Sequence, residues 1–110
     1  MLRKLIERIE STEANKIIRG KLKREDCFCT IGHLGDIFVQ EGKAIWDGDA
    51  LVFNGNSHSG CLPYGLIEIS GMTFQQVDDL IMLNDDPRTA LQPTKRKNNI
   101  LARLKRYETC

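Results

Sequence analysis

Apolar residues recur at helical spacing in the first part of the chain. The two faces they form are Leu2, Leu5, Ile6 and Ile9, and then Ile17, Ile18 and Leu22. Between Ile9 and Ala14 the apolar face rotates by about 140° around a helix axis. Either one helix with a shifted stripe or a break near Ser11 and Thr12 satisfies this pattern. Gly20 is suited to end the second segment if it is helical.

The middle of the chain predicts a helix followed by a hairpin. Helical spacing from Ile31 to Phe38 indicates a helix over about 29–40, and the acids Glu25 and Asp26 precede its positive end. Two β-prone runs then flank Asp47-Gly48, which predicts an antiparallel hairpin near 43–54. Residues 54–60 have the composition of a loop.

Helical signals dominate the rest of the sequence. Pro63 suits the first turn of a short helix through Ile69, ended by Gly71. Thr73 and Gln76 form a capping-box pattern for the next helix, which ends before Pro87. Thr94 is the predicted N-cap of a last helix. The inward side chains of that last helix are Ile100, Leu101, Leu104 and Tyr107.

These elements predict a single globular domain over 1–110. Its fold class is α+β and mainly helical, with four or five helices and one small antiparallel β-hairpin near 43–54. The predicted large core residues are Phe38, Trp46, Phe53 and Phe74. The smaller predicted core residues are Cys29, Ile31, Leu34, Leu62, Val77, Leu80, Leu101 and Leu104.

Charge is distributed unevenly along the 110 residues, although the formal net charge is only +1. Residues 1–24 carry a net charge of +5, residues 25–92 carry −9, and residues 93–110 carry +5. This asymmetry indicates either a polar partner or a self-complementary fold. The chain has neither an apolar run long enough to span a membrane nor a signal-peptide stretch at Met1, so we expect a cytoplasmic protein.

The segment 29–85 contains a series of short motifs, which are Cys29-Thr30-Ile31-Gly32-His33-Leu34-Gly35-Asp36, Trp46, Leu62-Pro63, Gly71, Val77 and Leu83-Asn84-Asp85. In this order the motifs resemble those of a family of small uncharacterised phage and prophage proteins. In that family, the first segment opens one helix, Leu-Pro opens another, and Leu-Asn-Asp closes a third. The resemblance implies a phage origin and a fold, and it transfers no active site.

Cysteine and histidine residues are weak candidates for chemistry. We expect the cysteines to be reduced in the cytoplasm. The weak metal candidates are Cys29, His33, His58 and Cys61. His58-x-x-Cys61 has a workable spacing for zinc, whereas Cys27-x-Cys29 is not the usual knuckle. Cys29 with a histidine base is a conceivable nucleophile, but buried structural cysteine is the default interpretation, and we expect no cofactor.

The two basic ends are the better candidates for binding. The candidate residues for a partner or nucleic-acid surface are Lys21, Lys23, Arg24, Lys95, Arg96, Lys97, Arg103, Lys105 and Arg106. If the two ends pack side by side, they form one positive surface for phosphates. Otherwise the acidic middle balances them, within the molecule or across a homodimer.

The leading functional hypothesis is a non-enzymatic phage accessory protein that binds a host protein or protein complex. Inhibition of a host defence or regulatory complex is one version of it, which rests on the phage context alone. The alternative is a small nucleic-acid-binding protein that uses its basic terminal helices. A cysteine-dependent or zinc-dependent enzyme is the third hypothesis.

Overall fold

A computed structural model describes residues 1–109, and it confirms the predicted α+β, mainly helical class. These residues form five α-helices and two small antiparallel sheets. Within residues 1–109, no helix is both long and apolar enough to cross a membrane. The elements are α1 (Leu2–Glu10), β1 (Lys23–Arg24), β2 (Cys27–Phe28), α2 (Thr30–Gln40), β3 (Ile45–Asp47), β4 (Ala50–Phe53), β5 (Asn56–His58), α3 (Tyr64–Ser70), α4 (Phe74–Asn84) and α5 (Pro93–Thr109), with 3-10 turns at Ala14–Lys16 and Pro87–Thr89.

The chain breaks after α1, and the segment that follows is not the second helix that its spacing allowed. Ile17 and Leu22 are buried, but they enter the core from irregular, partly extended backbone. Their backbone bonds go to distant segments: the N–H of Ile18 donates to Phe28 O, and the N–H of Leu22 donates to Ser59 O. Long-range bonds have therefore replaced the local helical ones in this segment.

A short hairpin that the sequence did not predict joins this segment to α2. β1 and β2 pair antiparallel around Glu25 and Asp26, and Glu25 has a φ of 56°. The two acids thus form a turn instead of lying at the start of the helix. The Sγ of Cys29 caps α2 by accepting a hydrogen bond from the N–H of Gly32 at 3.2 Å. The predicted helix over about 29–40 is confirmed.

A glycine in α2 allows the chain to pack closely against this helix. A Cβ added at Gly32 would lie 1.9 Å from the carbonyl oxygen of Leu22. The same carbonyl accepts a hydrogen bond from the N–H of Cys29 at 3.1 Å. Glycine at this position therefore lets the 17–22 segment lie directly on the first turn of α2.

The predicted hairpin is confirmed, and it belongs to a three-stranded sheet. β3 pairs with β4 so that Trp46 lies opposite Leu51, and the connecting loop is Gly48 and Asp49. Within the predicted Asp47-Gly48 pair, Gly48 has the positive φ, while Asp47 ends β3. β5 adds a third strand in the region predicted as loop. The loop before β5 has positive φ at Asn54 and Gly55, which is the requirement of a type I′ turn.

Local capping signals set the ends of α3 and α4. Pro63 is the N-cap of α3, and Gly71 ends it in the left-handed conformation with a φ of 77°. The capping box between Thr73 and Gln76 is formed in both directions at the start of α4.

The last helix, α5, begins two residues earlier than predicted, since an N-cap at Thr94 would make Lys95 the first helical residue. Pro93 is its first residue, so Thr94 lies inside the first turn and the predicted N-cap was wrong. Proline suits this position because its missing N–H is one that the helix leaves unpaired.

One hydrophobic core connects the helices with β4. Phe38 is fully buried, as predicted, whereas Trp46 and Phe53 are half-buried and pack against the core. Phe74 was wrongly predicted as a core residue, because its side chain is 38% exposed at the start of α4. The smaller predicted core residues found buried are Cys29, Ile31, Leu34, Leu62, Val77, Leu80 and Leu104; Leu101 is half-buried.

Candidate functional site

The basic residues near β1 lie beside the three-stranded sheet. The Nζ of Lys21 is 2.6 Å from Oδ2 of Asp49, at the β3–β4 turn. The Nζ of Lys23 lies 5.9 Å from the ring centroid of Trp46, which is within the range of a cation–π contact. Arg24 is exposed. Two of these three predicted binding residues therefore already have partners within the molecule.

Most of the basic residues of α5 also contact other parts of the chain. Lys97 donates to the carbonyl oxygens of Glu10 and Thr12, and Lys105 lies 3.3 Å from the carboxylate of Glu10. Arg103 forms an ion pair with Asp79 of α4. Lys95 and Arg106 are exposed. The charges of α5 thus serve mainly to hold this helix against α1 and α4.

Arg96 is a structural residue rather than part of an exposed surface, contrary to its place among the predicted binding residues. It is only 5% exposed, and its guanidinium donates to the carbonyl oxygens of Ile17 at 2.6 Å and Thr89 at 3.4 Å. Burial and the neighbouring Arg19 lower its pKa from the usual value. Arg96 ties the 17–22 segment and the second 3-10 turn to α5, because both present carbonyl groups to its planar donor fork.

Ion pairs join both basic ends to the acidic middle of the sequence. The pairs from the N-terminal part are Lys4–Glu41, Arg8–Asp36 and Lys21–Asp49, and the pair from α5 is Arg103–Asp79. The self-complementary alternative that the charge pattern allowed is therefore present in the fold. The three more exposed pairs contribute roughly 0–1 kcal/mol each, whereas Arg8–Asp36 is largely buried.

The cysteine and histidine candidates do not come together as one site. Within residues 1–109, no group of three or more His, Cys, Asp or Glu side chains is placed to hold a metal ion. The Sγ of Cys61 lies 3.9 Å from Nδ1 of His58 on the surface. Cys29 is buried, and burial raises the pKa of its thiol to about 11. A thiol with this pKa is almost fully protonated at neutral pH, which disfavours the nucleophile hypothesis.

His33 belongs instead to a buried polar cluster that joins α1, α2 and β3. The Nε of Arg8 donates to His33 Nδ1 at 2.8 Å, and Nη2 of Arg8 lies 2.6 Å from Oδ2 of Asp36. The indole N–H of Trp46 donates to the other oxygen of Asp36 at 2.8 Å. The ring of Phe28 covers the cluster, with its centroid 5.1 Å from that of His33 and 5.6 Å from that of Trp46.

The hydrogen bond from Arg8 sets the tautomer of His33, and burial is the main determinant of its protonation state. Because Nδ1 accepts, the neutral ring carries its proton on Nε2, and this buried N–H has no partner within residues 1–109. Burial and the Arg8 charge lower the pKa of His33 to about 4, although Asp36 opposes them. His33 is therefore neutral at physiological pH, and its contacts hold α1 against α2.

An exposed aromatic pair is the feature that the sequence interpretation missed. Tyr64 of α3 is 67% exposed, Phe74 of α4 is 38% exposed, and their ring centroids are 4.2 Å apart. Glu68 and Asp78 follow these aromatics by four residues on the same helices, and Met82 follows Asp78 by four more. We call these five residues the α3–α4 face. The spacing along α4 gave no clear signal of this exposure, since Phe74 lies about 120° from the buried Leu80 but only about 60° from the buried Val77 around the helix.

Comparisons with known proteins add no assignment: no family model, no curated protein and no solved structure matches this chain.

Proposed function

We propose that this protein is a non-enzymatic phage or prophage accessory protein that acts in the host cytoplasm by binding a host protein or protein complex. The phage origin is supported by the resemblance of residues 29–85 to small phage proteins. Binding is supported by the α3–α4 face. Inhibition of a host defence or regulatory complex is the form of this function that a phage context favours.

The observation that carries the proposal is the exposed contact between Tyr64 and Phe74. Two large aromatic side chains pack against each other at the surface with their ring planes tilted by 41°, although α3 and α4 have their own buried residues facing the core. Aromatic side chains supply much of the energy in protein interfaces, where tyrosine is enriched at the most important positions. The pair is therefore suited to anchor a protein partner.

The charges around this pair favour a protein over nucleic acid. Glu68 and Asp78 flank the aromatics, and their carboxylates would repel a phosphate backbone. The basic residues that would attract phosphates are largely engaged, with Arg96 buried and Arg103 paired. The raised pKa of the Cys29 thiol gives no support to the cysteine-enzyme hypothesis.

Affinity capture from host-cell lysate, with and without nuclease, identifies the partner, and binding of the purified partner then tests the surface. We expect Tyr64→Ser/Phe74→Ser to weaken this binding by at least about ten-fold, since anchor residues contribute more than about 1.4 kcal/mol. The matched control is Ile45→Ser, because Ile45 is an apolar residue of β3 that is 62% exposed. Its affinity should stay within about two-fold of the wild type.

Three outcomes would overturn the proposal. If the purified partner binds the double variant as tightly as the wild type, the Tyr64–Phe74 pair does not anchor it. Capture that disappears with nuclease would favour the nucleic-acid alternative. If the wild type is a homodimer in analytical ultracentrifugation and the double variant is a monomer, the α3–α4 face binds a second copy of the chain.

A further inference from the structure

The two carboxylates of the α3–α4 face are free in a protein that pairs most of its charges. Within residues 1–109, neither Glu68 nor Asp78 forms an ion pair, whereas Asp79, next to Asp78, is held by Arg103 and Tyr107. Both free carboxylates are on exposed residues. A charge left free beside an exposed aromatic pair is available to a partner.

Helix geometry arranges these groups in stripes. Four residues make about one turn and advance about 6 Å, so each carboxylate lies one turn beyond its aromatic neighbour on the same face. On α4 the stripe runs from Phe74 through Asp78 to Met82, a length of about 12 Å. The order along this stripe is apolar, acidic, apolar.

The stripe leads into an open groove at the surface. Met82 is 72% exposed and lines a groove of about 500 Å³ at the C-terminal end of α4. Ile81, Leu83 and Pro87 contribute apolar surface to the same groove. Asp85 and Arg88 also line it, but Oδ1 of Asp85 accepts hydrogen bonds from Gly20 N–H and Asn84 Nδ2, and Arg88 is paired with Asp86. The apolar character of the stripe therefore continues to the end of α4.

We infer that the α3–α4 face and this groove bind a segment of the partner protein in which apolar residues alternate with lysine or arginine. The inference rests on the proposed function and names the partner's chemistry. Apolar side chains contact the Tyr64–Phe74 pair and the groove beside Met82, and these contacts supply most of the affinity. Basic side chains meet Glu68 and Asp78, which speeds association and selects against acidic partners.

The first test uses a defined probe in place of the natural partner. It is a synthetic amphipathic peptide of about 18 residues of leucine and lysine, long enough for about five helical turns. A leucine and glutamate peptide of the same pattern is the comparison. Fluorescence anisotropy at about 150 mM salt should show at least about ten-fold tighter binding of the lysine peptide.

Charge reversal then locates the binding site. Glu68→Lys/Asp78→Lys should weaken binding of the lysine peptide by at least about ten-fold, because it removes two attractive charges and adds two repulsive ones. The matched control is Asp47→Lys, which reverses an exposed carboxylate on β3 that forms no ion pair within residues 1–109. Equal affinity for the two peptides, or an equal loss in the Asp47→Lys variant, would overturn the inference, because the attraction would then be non-specific.

Measuring the affinity of the natural partner for both double variants distinguishes a failure of this inference from a failure of the proposed function. If partner binding is lost in Tyr64→Ser/Phe74→Ser but unchanged in Glu68→Lys/Asp78→Lys, the host-protein function stands and the basic segment is wrong. If neither pair of substitutions changes the affinity, both proposals fail. Thermal unfolding of each variant checks that the exposed substitutions leave the fold intact.

Discussion

Acidification to about pH 5 should destabilise this protein through a single histidine. His33 is 4% exposed, and its Nδ1 accepts a hydrogen bond from the Arg8 guanidinium. Protonation would place a hydrogen on Nδ1, remove this acceptor and leave two positive charges in contact. Burial and the Arg8 charge accordingly lower the pKa of His33 to about 4.

The sign and the magnitude follow from proton linkage. The pKa of His33 is about 4 in the folded protein and about 6.5 in the unfolded chain, so between these values the unfolded state binds more protons. Stability must therefore fall as the pH falls through this window. The loss due to His33 is about 2 kcal/mol between pH 7.5 and 5, and about 3 kcal/mol once the folded form is also protonated.

Urea unfolding followed by the fluorescence of Trp46, the one tryptophan of the chain, measures this loss at the two pH values. His33→Asn cannot titrate and keeps an acceptor near the position of Nδ1, so it should lose most of the pH dependence. The matched control His58→Asn changes the other histidine and should keep it. The carboxyl groups whose pKa is lowered, such as Glu41 paired with Lys4, act mainly below pH 5.

An equal pH dependence in wild type and His33→Asn would refute this reasoning. A second measurement does not depend on whether the variant folds. In the NMR titration of the wild-type protein, the ring protons of His33 should titrate near pH 4. A midpoint at or above about 6.5 would show that the folded environment does not favour the neutral ring.

Two further predictions concern the polar core and the metal hypothesis. Asn84→Ala should lower the free energy of unfolding by about 2–4 kcal/mol, because it removes the acceptor of Thr30 and the donor to Ile18 O within buried structure. Asn98→Ala on the exposed side of α5 is its control and should change stability by less than about 0.5 kcal/mol in urea unfolding. For the cysteine and histidine candidates, elemental analysis should find no stoichiometric zinc, and a chelator should leave the Tm unchanged; one zinc per chain that is lost together with the fold would contradict this.

Signals that act over three or four residues were readable from the sequence. The Thr73–Gln76 capping box and the Gly71 helix end are formed as predicted, since their partners are neighbours in the chain. The hairpin around Gly48 is also local. Asn54-Gly55 carried an equally strong turn signal, and interpreting it only as loop composition missed β5.

The sequence by itself thus determined the mainly helical class, the positions of α2, α3 and α4, and the β3–β4 hairpin. Only the tertiary structure decided that Ile17 and Leu22 reach the core without a helix, and that Arg96 is buried against distant carbonyl groups. It also decided that Phe74 packs against Tyr64 at the surface. Caps and turns are formed by groups a few residues apart in the chain. Burial and ion pairing depend instead on which elements pack together, and residue spacing alone does not predict that packing.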